Sequence, residues 1–570
     1  MKACVYCLVA ALLAAAVAGG QERDPLRAGT KADDGIEVLT RGPVHEAFAE
    51  TISFDPQPGV IVEKPAPEAI EEIAPDQKPE GTNVDWIPGY WAWDDERSDY
   101  LWVSGIWRSL PPGRQWVSGY WGRSGRGSQW TSGYWADAKA SEVEYLPEPP
   151  ETVEAGPNVE APSANHTWLP GSWVWQQNRY AWRPGYWATA HPNWVWIPAH
   201  YVWSPRGYVF VDGYHDYTVA RRGVLFAPVY FSSNVYSRRG FSYSPLTVIN
   251  PGVFSNHLFL RPSYGHYYFG DYYGSSYASI GFSPWFSFYS SRYGYDPFYA
   301  HQHWTNRNDR QWDRRVQSDF ARRRDNEGSR PPRTWTALQE RSPTSDDQSL
   351  VVAGSLDDLA KSKESPIRLQ PVATEERRQY SQRREEFRTS REERRKLEAE
   401  AAGPSTDAPA ATIKPVKVKL PRTPIVAQPV DRLDKDDAPP QAIDAPELDP
   451  KVEPRPRRGR GNAEPLREPT TTKGEPRPER PKAEPRPERP KAEPRPERPK
   501  AEPRPERPKA EPRPERPKAE PRPERPKAEP RPERPKAEPR PERPKQEPKG
   551  KPDRESADAP KGKEKDQPRN

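Results

Sequence analysis

Aromatic and polar residues recur with a fixed period through the first half of the chain. Runs of large apolar residues such as Tyr100–Val103 alternate with Pro-Gly or Ser-Gly pairs and short polar stretches. The first aromatic residues of successive runs are 14 residues apart, at positions 102, 116 and 130 and again at 168, 182, 196 and 210. Fourteen residues suit one strand of about eight residues and a turn of about six. The pattern predicts a mainly β fold, an antiparallel meander of Trp-rich 14-residue repeats.

The repeated unit has the sequence W-x-[PS]-G-x-W. Copies begin at Trp residues 86, 102, 116, 130, 168 and 182, and degenerate copies begin at positions 196 and 210. Two residues five apart lie on opposite faces of a regular strand. Because a glycine inside a strand often marks a bulge, one extra residue there would return both tryptophans to the same face. We therefore expect bulges at the repeat glycines, whose role would be structural: Gly89, Gly105, Gly119, Gly133, Gly171 and Gly185.

These units closely resemble the repeats of the WXXGXW, or YXWGXW, family of exported bacterial proteins. The resemblance rests on Trp86-Ile87-Pro88-Gly89-Tyr90-Trp91 and its copies. It implies an exported bacterial protein and carries no biochemical activity with it. An insert at about 137–165, rich in Glu and Pro, departs from the tandem regularity and could split the repeats into two sheets.

The rows of tryptophan have two interpretations. In one, indoles are simply the core-forming side chains of a thin sheet, each burying roughly 150–250 Å². In the other, they form an exposed platform that stacks on sugar rings or on a partner, because a single sheet cannot cover both of its faces. The candidate platform residues are Trp91, Trp107, Trp121, Trp135, Trp173 and Trp187.

The N-terminus has the features of a secretory signal. Lys2 precedes an apolar run from Val5 to Val17, which is too short to span a bilayer, and Ala16-Val17-Ala18 fits a cleavage site. A signal peptide at 1–18 predicts export to the periplasm, the cell surface or the medium. No later segment is long and apolar enough to span a membrane, so we expect no span after cleavage. The only cysteines, Cys4 and Cys7, lie inside the signal, so the mature chain would have no disulfide.

Composition divides the rest of the chain into five segments. They are a Pro- and acid-rich leader (19–83), the repeat region (84–231), a Tyr/Gly/Ser-rich β extension (232–300), a charged and partly helical segment (301–403), and a disordered tail (404–570). Within 301–403 the clearest helix, Thr374–Ala402, has so few apolar residues that a solvated charged helix is expected. The tail repeats a nonapeptide containing E-P-R-P-E-R-P-K across 475–545, which favours an extended polyproline spacer.

Charge and motifs exclude several classes of function. The net charge of +6 arises from 88 basic and 82 acidic residues, and the repeat region is slightly acidic, so nucleic-acid binding is not indicated. We find no nucleophile elbow, zinc-protease motif or phosphate-binding loop, and we predict no enzyme and no cofactor. No cysteine lies near His301 and His303 in the sequence to complete a set of metal ligands, so no metal site is predicted.

The sequence therefore predicts an exported structural or binding protein of the bacterial cell envelope. Its β-repeats would dock on an envelope polysaccharide or an envelope protein, and its tail would act as a spacer. The alternative is a carbohydrate-binding module with Trp and Tyr as stacking platforms. Open edges of a meander also permit self-association.

Overall fold

The computed structural model describes residues 35–454 apart from 126, 290–293, 342–347, 363, 364, 366, 400–413, 435–437, 442 and 444. The predicted signal peptide (1–18) and the nonapeptides (475–545) lie outside the described residues. The mainly β, antiparallel character predicted from the 14-residue period is confirmed.

The repeat region folds as four antiparallel hairpins, each made of two consecutive W-x-x-G-x-W units. Every arm consists of two short strands, and the first strand of a hairpin pairs with the fourth and the second with the third. Hairpin 1 comprises Val84–Ile87, Tyr90–Asp94, Asp99–Val103 and Ile106–Ser109. Hairpin 2 comprises Arg114–Val117, Tyr120–Ser124, Gly127–Thr131 and Tyr134–Asp137. Hairpin 3 comprises His166–Leu169, Ser172–Gln176, Arg179–Arg183 and Tyr186–Thr189. Hairpin 4 comprises Trp194–Ile197, His200–Ser204, Gly207–Val211 and Tyr214–Tyr217.

The register of each hairpin brings aromatic rings of its two arms together. In hairpin 1, Trp86 lies opposite Trp107 and Trp91 lies opposite Trp102, with ring centroids 5.2 Å apart in both pairs. Edge-to-face pairs of this kind each contribute about 0.5–1.5 kcal/mol beyond the area they bury. The equivalent pairs elsewhere are Trp116/Trp135, Trp121/Trp130, Trp168/Trp187, Trp173/Trp182, Trp196/His215 and Tyr201/Phe210.

The expected bulges at the repeat glycines do not form. In hairpin 1 the pairs Ile87↔Ile106 and Tyr90↔Val103 are separated by two residues on each arm, so neither arm has an extra residue. Instead both arms leave regular pairing together. The glycine is required because an indole of the opposite arm lies over it: a Cβ on Gly105 would be 2.5 Å from a ring carbon of Trp86.

The four hairpins form two halves with the same internal order, and an extended acidic segment precedes each half. We call residues 64–72 strap 1 and residues 147–154 strap 2. The indole N–H of Trp91 donates to the Glu68 carbonyl at 2.9 Å, and that of Trp173 donates to the Glu151 carbonyl at 3.0 Å. The hydroxyls of Tyr100 and Tyr180 likewise donate to the carbonyls of Lys64 and Pro147. The insert at 137–165 therefore provides strap 2 for hairpin 3, just as the leader provides strap 1 for hairpin 1.

The remaining strands are short, and many of them pair a segment before the repeats with one after them. For example, Ile36–Val38 pairs with Val229–Phe231, and Gly42–Pro43 pairs with His266–Phe269. The other strands before hairpin 3 are Ile52–Ser53, Ile61–Val62, Glu71–Glu72, Gln77–Pro79 and Glu142–Leu146. Those after the repeats are Gly223–Leu225, Ser242–Tyr243, Thr247–Ile249, Leu258–Arg261, Ser283–Pro284, Gly294–Tyr295, Ala353–Ser355, Leu369–Pro371 and Val416–Lys419.

The α-helices lie after the repeats. They are Ser233–Tyr236, Ser275–Ser279, Trp285–Tyr289, Pro297–Thr305, Trp312–Asp325, Trp335–Glu340, Leu356–Lys361 and Thr374–Ala399. None of the helices in the described part of the chain is long and apolar enough to cross a membrane.

The long helix Thr374–Ala399 is not the solvated helix that its composition predicts. Its Arg394 and Glu398 are buried and paired with each other at 2.9 Å. The Glu398 carboxylate also accepts the hydroxyls of Tyr120 and Tyr145, at 2.7 and 2.8 Å. The helix packs on hairpin 2 through this polar cluster, and its Phe387 is buried in the main hydrophobic core.

Part of the segment expected to be disordered is packed on the repeats. Val416–Lys419 pairs with Glu142–Leu146, and the buried Ile425 accepts the Trp116 N–H at 3.0 Å. Hairpin edges present unpaired backbone groups, and an extended Pro-containing segment can satisfy them. The prediction of disorder over 404–570 is therefore wrong for the described residues between 414 and 454.

Candidate functional site

The six candidate platform tryptophans differ in their exposure. Trp91, Trp107, Trp135 and Trp173 are buried, at 0–3% exposure, inside their cross-strand pairs. Trp121 and Trp187 are half-buried. A ligand could reach only the last two without opening a hairpin, so the platform stays a prediction for Trp121 and Trp187.

A buried glutamate binds the corner of hairpin 1. One carboxylate oxygen of Glu72 accepts the Gly89 N–H at 2.7 Å, and the other accepts the Gly105 N–H and the Trp102 indole N–H, each at 2.9 Å. These N–H groups point away from the ladder because both arms leave regular pairing at the glycines. The carboxylate therefore satisfies donors that the corner would otherwise leave buried and unpaired.

In hairpins 2 and 3 a glutamate likewise accepts one indole N–H and one repeat-glycine N–H. Glu46 accepts the Trp130 indole N–H at 2.9 Å and the Gly133 N–H at 3.0 Å. Glu154 accepts the Trp168 indole N–H at 3.2 Å and also the Gly171 N–H. We call Glu46, Glu72 and Glu154 the corner glutamates.

Sequence reasoning missed the corner glutamates, although two of them leave a signal. Glu72 lies 17 residues before Gly89, the first of its two glycines, and Glu154 lies 17 residues before Gly171. Glu46 lies 87 residues before Gly133, so no local spacing reveals it. Burial raises the pKa of Glu72 to about 7, against the lowering effect of its three hydrogen bonds.

A pair of buried carboxylates, Glu46 and Glu50, could suggest catalysis, but the contacts of both are structural. Glu46 and Glu50 both line a cavity of about 60 Å³ beside His200. The Glu50 carboxylate accepts the Trp135 N–H at 2.9 Å and the Tyr214 hydroxyl at 2.7 Å, and burial raises its pKa to about 7. Both carboxylates are thus engaged in holding the hairpins. Across the described residues, no three His, Cys, Asp or Glu side chains are grouped so as to hold a metal ion.

A larger cavity, of about 350 Å³, lies where hairpins 2, 3 and 4 meet strand Glu142–Leu146. Half-buried Trp175 and Phe210 contribute aromatic rings to its lining. Four carboxylates line it as well: Asp137, Glu142, Glu144 and Asp212. We call this cavity the acidic cleft.

Among the described residues that line the acidic cleft, the one cation is Arg114, and its side chain is engaged in contacts within the protein. Arg114 is buried, donates to the carbonyls of Asp212 and Gly213 at 3.1 and 3.0 Å, and lies over the Tyr214 ring at 4.4 Å.

The ion pairs that the cleft carboxylates make with their neighbours are long. The Lys417 ammonium is 4.0 Å from Glu144, and the Arg183 guanidinium is 3.8 Å from Asp212. Exposed pairs at such distances contribute little. The cleft can therefore attract a positively charged group and place its apolar part against an aromatic ring.

Comparison with known families gives one match. The WXXGXW repeat family matches residues 85–108, 164–188 and 192–214, which correspond to hairpins 1, 3 and 4. Neither the curated proteins nor the solved structures contain a match. No catalytic activity is known for this repeat family. The chain therefore contains repeats of the WXXGXW family, and these repeats form hairpins 1, 3 and 4.

Proposed function

We propose that this is an exported structural or binding protein of the bacterial cell envelope, which docks on a surface polymer or envelope protein through hairpin 3. The observation that carries the proposal is the incomplete cover of that hairpin. Among the described residues, no further strand extends its two pairs of strands, and one isolated bridge, Trp182 to Asp449, lies at its edge. A hairpin with largely unpaired edges and half-buried rings can serve as a contact surface.

Trp187 is the central residue of this surface. Its indole N–H donates to the Val159 carbonyl at 2.9 Å, so its hydrogen-bonding capacity is used within the chain. The remaining half-exposed ring can contribute only stacking and apolar contact. Export rests on the features of the N-terminal signal, and the nonapeptide tail would act as a spacer on the same protein.

The test is a binding titration with the full-length mature protein. Peptidoglycan fragments, soluble envelope polysaccharides and solubilised envelope proteins are added separately, and binding is measured calorimetrically. We expect saturable binding to one of them, and Trp187→Ala to weaken it about ten-fold, which is the loss typical of a central aromatic contact. Trp335→Ala, which changes a half-buried indole on the helix Trp335–Glu340 outside the repeats, is the matched control and should leave affinity unchanged. Absence of binding to all three classes would contradict the proposal.

The second candidate function is carbohydrate binding by the same surface. The hydrogen bond of the Trp187 indole N–H to Val159 favours this candidate. With its N–H engaged, the indole can offer a ligand only its flat apolar face, and a sugar ring stacks on such a face. Binding to the saccharide ligands and not to envelope proteins would support this candidate. Binding to envelope proteins and not to the saccharide ligands would instead indicate a protein-docking surface.

A further inference from the structure

We propose that the acidic cleft binds the arginine-rich segment that follows the last described residue of the same chain. This segment is Arg455-Pro456-Arg457-Arg458-Gly459-Arg460. The inference concerns the cleft between hairpins 2, 3 and 4, and it does not depend on which envelope component the protein binds.

The chain leaves its described part against an aromatic cluster that also contacts two residues of the cleft lining. The Asp449 N–H donates to the Trp182 carbonyl at 2.8 Å, which fixes this stretch on hairpin 3. Val452 then packs against the buried aromatic cluster that contains Trp173 and Tyr180, and Trp175 and Phe210 pack against the same cluster. Six further residues can reach about 20 Å. The arginines therefore start within reach of the cleft that Trp175 and Phe210 line.

The charges of the segment and the cleft are complementary. Four arginines lie within six residues, and four carboxylates line the cavity. Arg114, the only cation among the described lining residues, is held by two backbone carbonyls and an aromatic ring. Guanidinium groups form paired hydrogen bonds with carboxylates and lose little hydration, so Arg suits a half-enclosed acidic site better than Lys.

The shape and lining of the cleft suit such a segment. Its volume of about 350 Å³ lies within the range usual for ligand sites. A guanidinium over an indole gains about 0.5–2 kcal/mol, and a proline ring packs on aromatic side chains in the same way as in Pro-rich peptide recognition. Because the segment is tethered, its effective concentration at the cleft is on the order of millimolar. A weak intrinsic affinity is then enough for occupancy.

The consequence is that the cleft is filled by the chain itself, and the free spacer begins after Arg460. The tail would then depart from a defined place on the second half of the repeat region. A soluble cation-bearing ligand would have to compete with the tethered arginines.

The test uses the full-length protein with Arg455, Arg457, Arg458 and Arg460 replaced by serine. A fluorescein-labelled peptide of sequence PRPRRGR, corresponding to residues 454–460, is titrated into this variant and into the wild-type protein, and anisotropy is measured. We expect saturable binding to the variant and binding at least ten-fold weaker to the wild type, whose cleft is already occupied. Raising the salt concentration from 50 to 500 mM should weaken binding to the variant further.

Substitutions in the cleft assign the site. In the four-serine background, Trp175→Ala, Asp212→Asn and Glu142→Gln should each weaken peptide binding about five- to ten-fold. Glu327→Gln, an exposed carboxylate outside the cleft, is the control and should have no effect. The two amide variants are exposed and change no packing, so they remain informative if Trp175→Ala disturbs the fold.

Three outcomes would overturn the proposal. They are no peptide binding to the four-serine variant, equal binding to that variant and the wild type, and binding that is unaffected by the cleft substitutions. Sedimentation supplies a further criterion: a wild-type dimer that dissociates in the four-serine variant would place the segment in the cleft of a second copy, which contradicts docking within one chain.

Discussion

Hairpins 1 and 3 are built alike and covered differently. Both have a strap, two Trp pairs and a corner glutamate. In hairpin 1, Gly223–Leu225 pairs with the strand that contains Trp107, and Tyr380 of the long helix packs against that indole at 5.1 Å. The equivalent Trp187 in hairpin 3 is half-exposed. Two consecutive W-x-x-G-x-W units therefore encode a hairpin, and the rest of the chain decides whether that hairpin is core or surface.

The largest expected difference between the two hairpins concerns these equivalent tryptophans. Trp107→Ala should lower the free energy of unfolding by about 4 kcal/mol, because it removes a fully buried indole from a packed site. Trp187→Ala should cost about 1 kcal/mol, since its ring is already partly hydrated. Urea denaturation followed by circular dichroism measures both values. Equal losses would show that cover by later segments does not distinguish the two hairpins.

Substitution of the corner glutamates should also destabilise the protein more in hairpin 1 than in hairpin 3, but the difference should be smaller. Glu72→Ala leaves two glycine N–H groups and the Trp102 indole N–H without their acceptor in a buried corner, and we expect a loss of about 3 kcal/mol. Glu154→Ala should cost about 1 kcal/mol, because Glu154 is half-buried and water can replace it. Thermal unfolding of both variants beside the wild type provides the measurement. A larger loss in hairpin 3 would contradict this explanation.

Hairpin 1 should also respond to pH through Glu72. Its pKa is raised to about 7 in the folded protein from 4.5, so between these values the folded state binds more protons than the unfolded state. The contribution of Glu72 to stability is therefore present at pH 4.5 and is lost as pH rises to about 7, by up to roughly 3 kcal/mol.

Buried histidines oppose this trend, so the test is a difference between two proteins. Burial lowers the pKa of His45 and His257 to about 3 and that of His200 to about 4, which increases stability as pH rises to 6.5. Wild type and Glu72→Gln contain the same histidines. Their unfolding free energies, measured from pH 5 to 8, should therefore diverge in favour of the glutamine variant as pH increases. A constant difference would refute the assignment.

The smallest expected contrast concerns the repeat glycines. A Cβ on Gly105 would meet the Trp86 ring at 2.5 Å, and a Cβ on Gly185 would meet the Trp168 ring at 2.4 Å. Trp86 is enclosed by later segments, including Phe226, so it cannot move aside. We expect Gly105→Ala to cost about 2 kcal/mol and Gly185→Ala about 1 kcal/mol. Melting temperatures of the two alanine variants would detect the difference.

The sequence predicts the arms of the hairpins well, and it does so for physical reasons. The 14-residue period marks the arms, and the β-favouring aromatic residues mark the strands. The prediction of bulges is wrong because the spacing within one strand does not show its partner: with two glycine corners opposite each other, no extra residue is needed. The straps have no sequence signal because their bonds to Trp91 and Trp173 use backbone carbonyls, which any residue type provides.

Long-range polar contacts explain the other differences. The pairing of Arg394 with Glu398 is visible as an i,i+4 spacing, but nothing in the helix indicates that Tyr120 and Tyr145 complete the cluster. The acidic cleft likewise collects Asp137, Glu144 and Asp212 from different hairpins and the insert. Composition showed a slightly acidic repeat region without showing where its charges converge.

The position of the corner glutamates in the chain determines when they are synthesised relative to the hairpins that they bind. Each precedes its hairpin in the chain: Glu46 comes before hairpin 2, Glu72 before hairpin 1 and Glu154 before hairpin 3. Because a growing chain emerges from its N-terminus, the acceptor is present before the glycine N–H groups that need it have been made. Hairpins form within microseconds, far faster than residues are added. Each corner can therefore close on its carboxylate as soon as its second arm appears, before the later segments arrive to cover it.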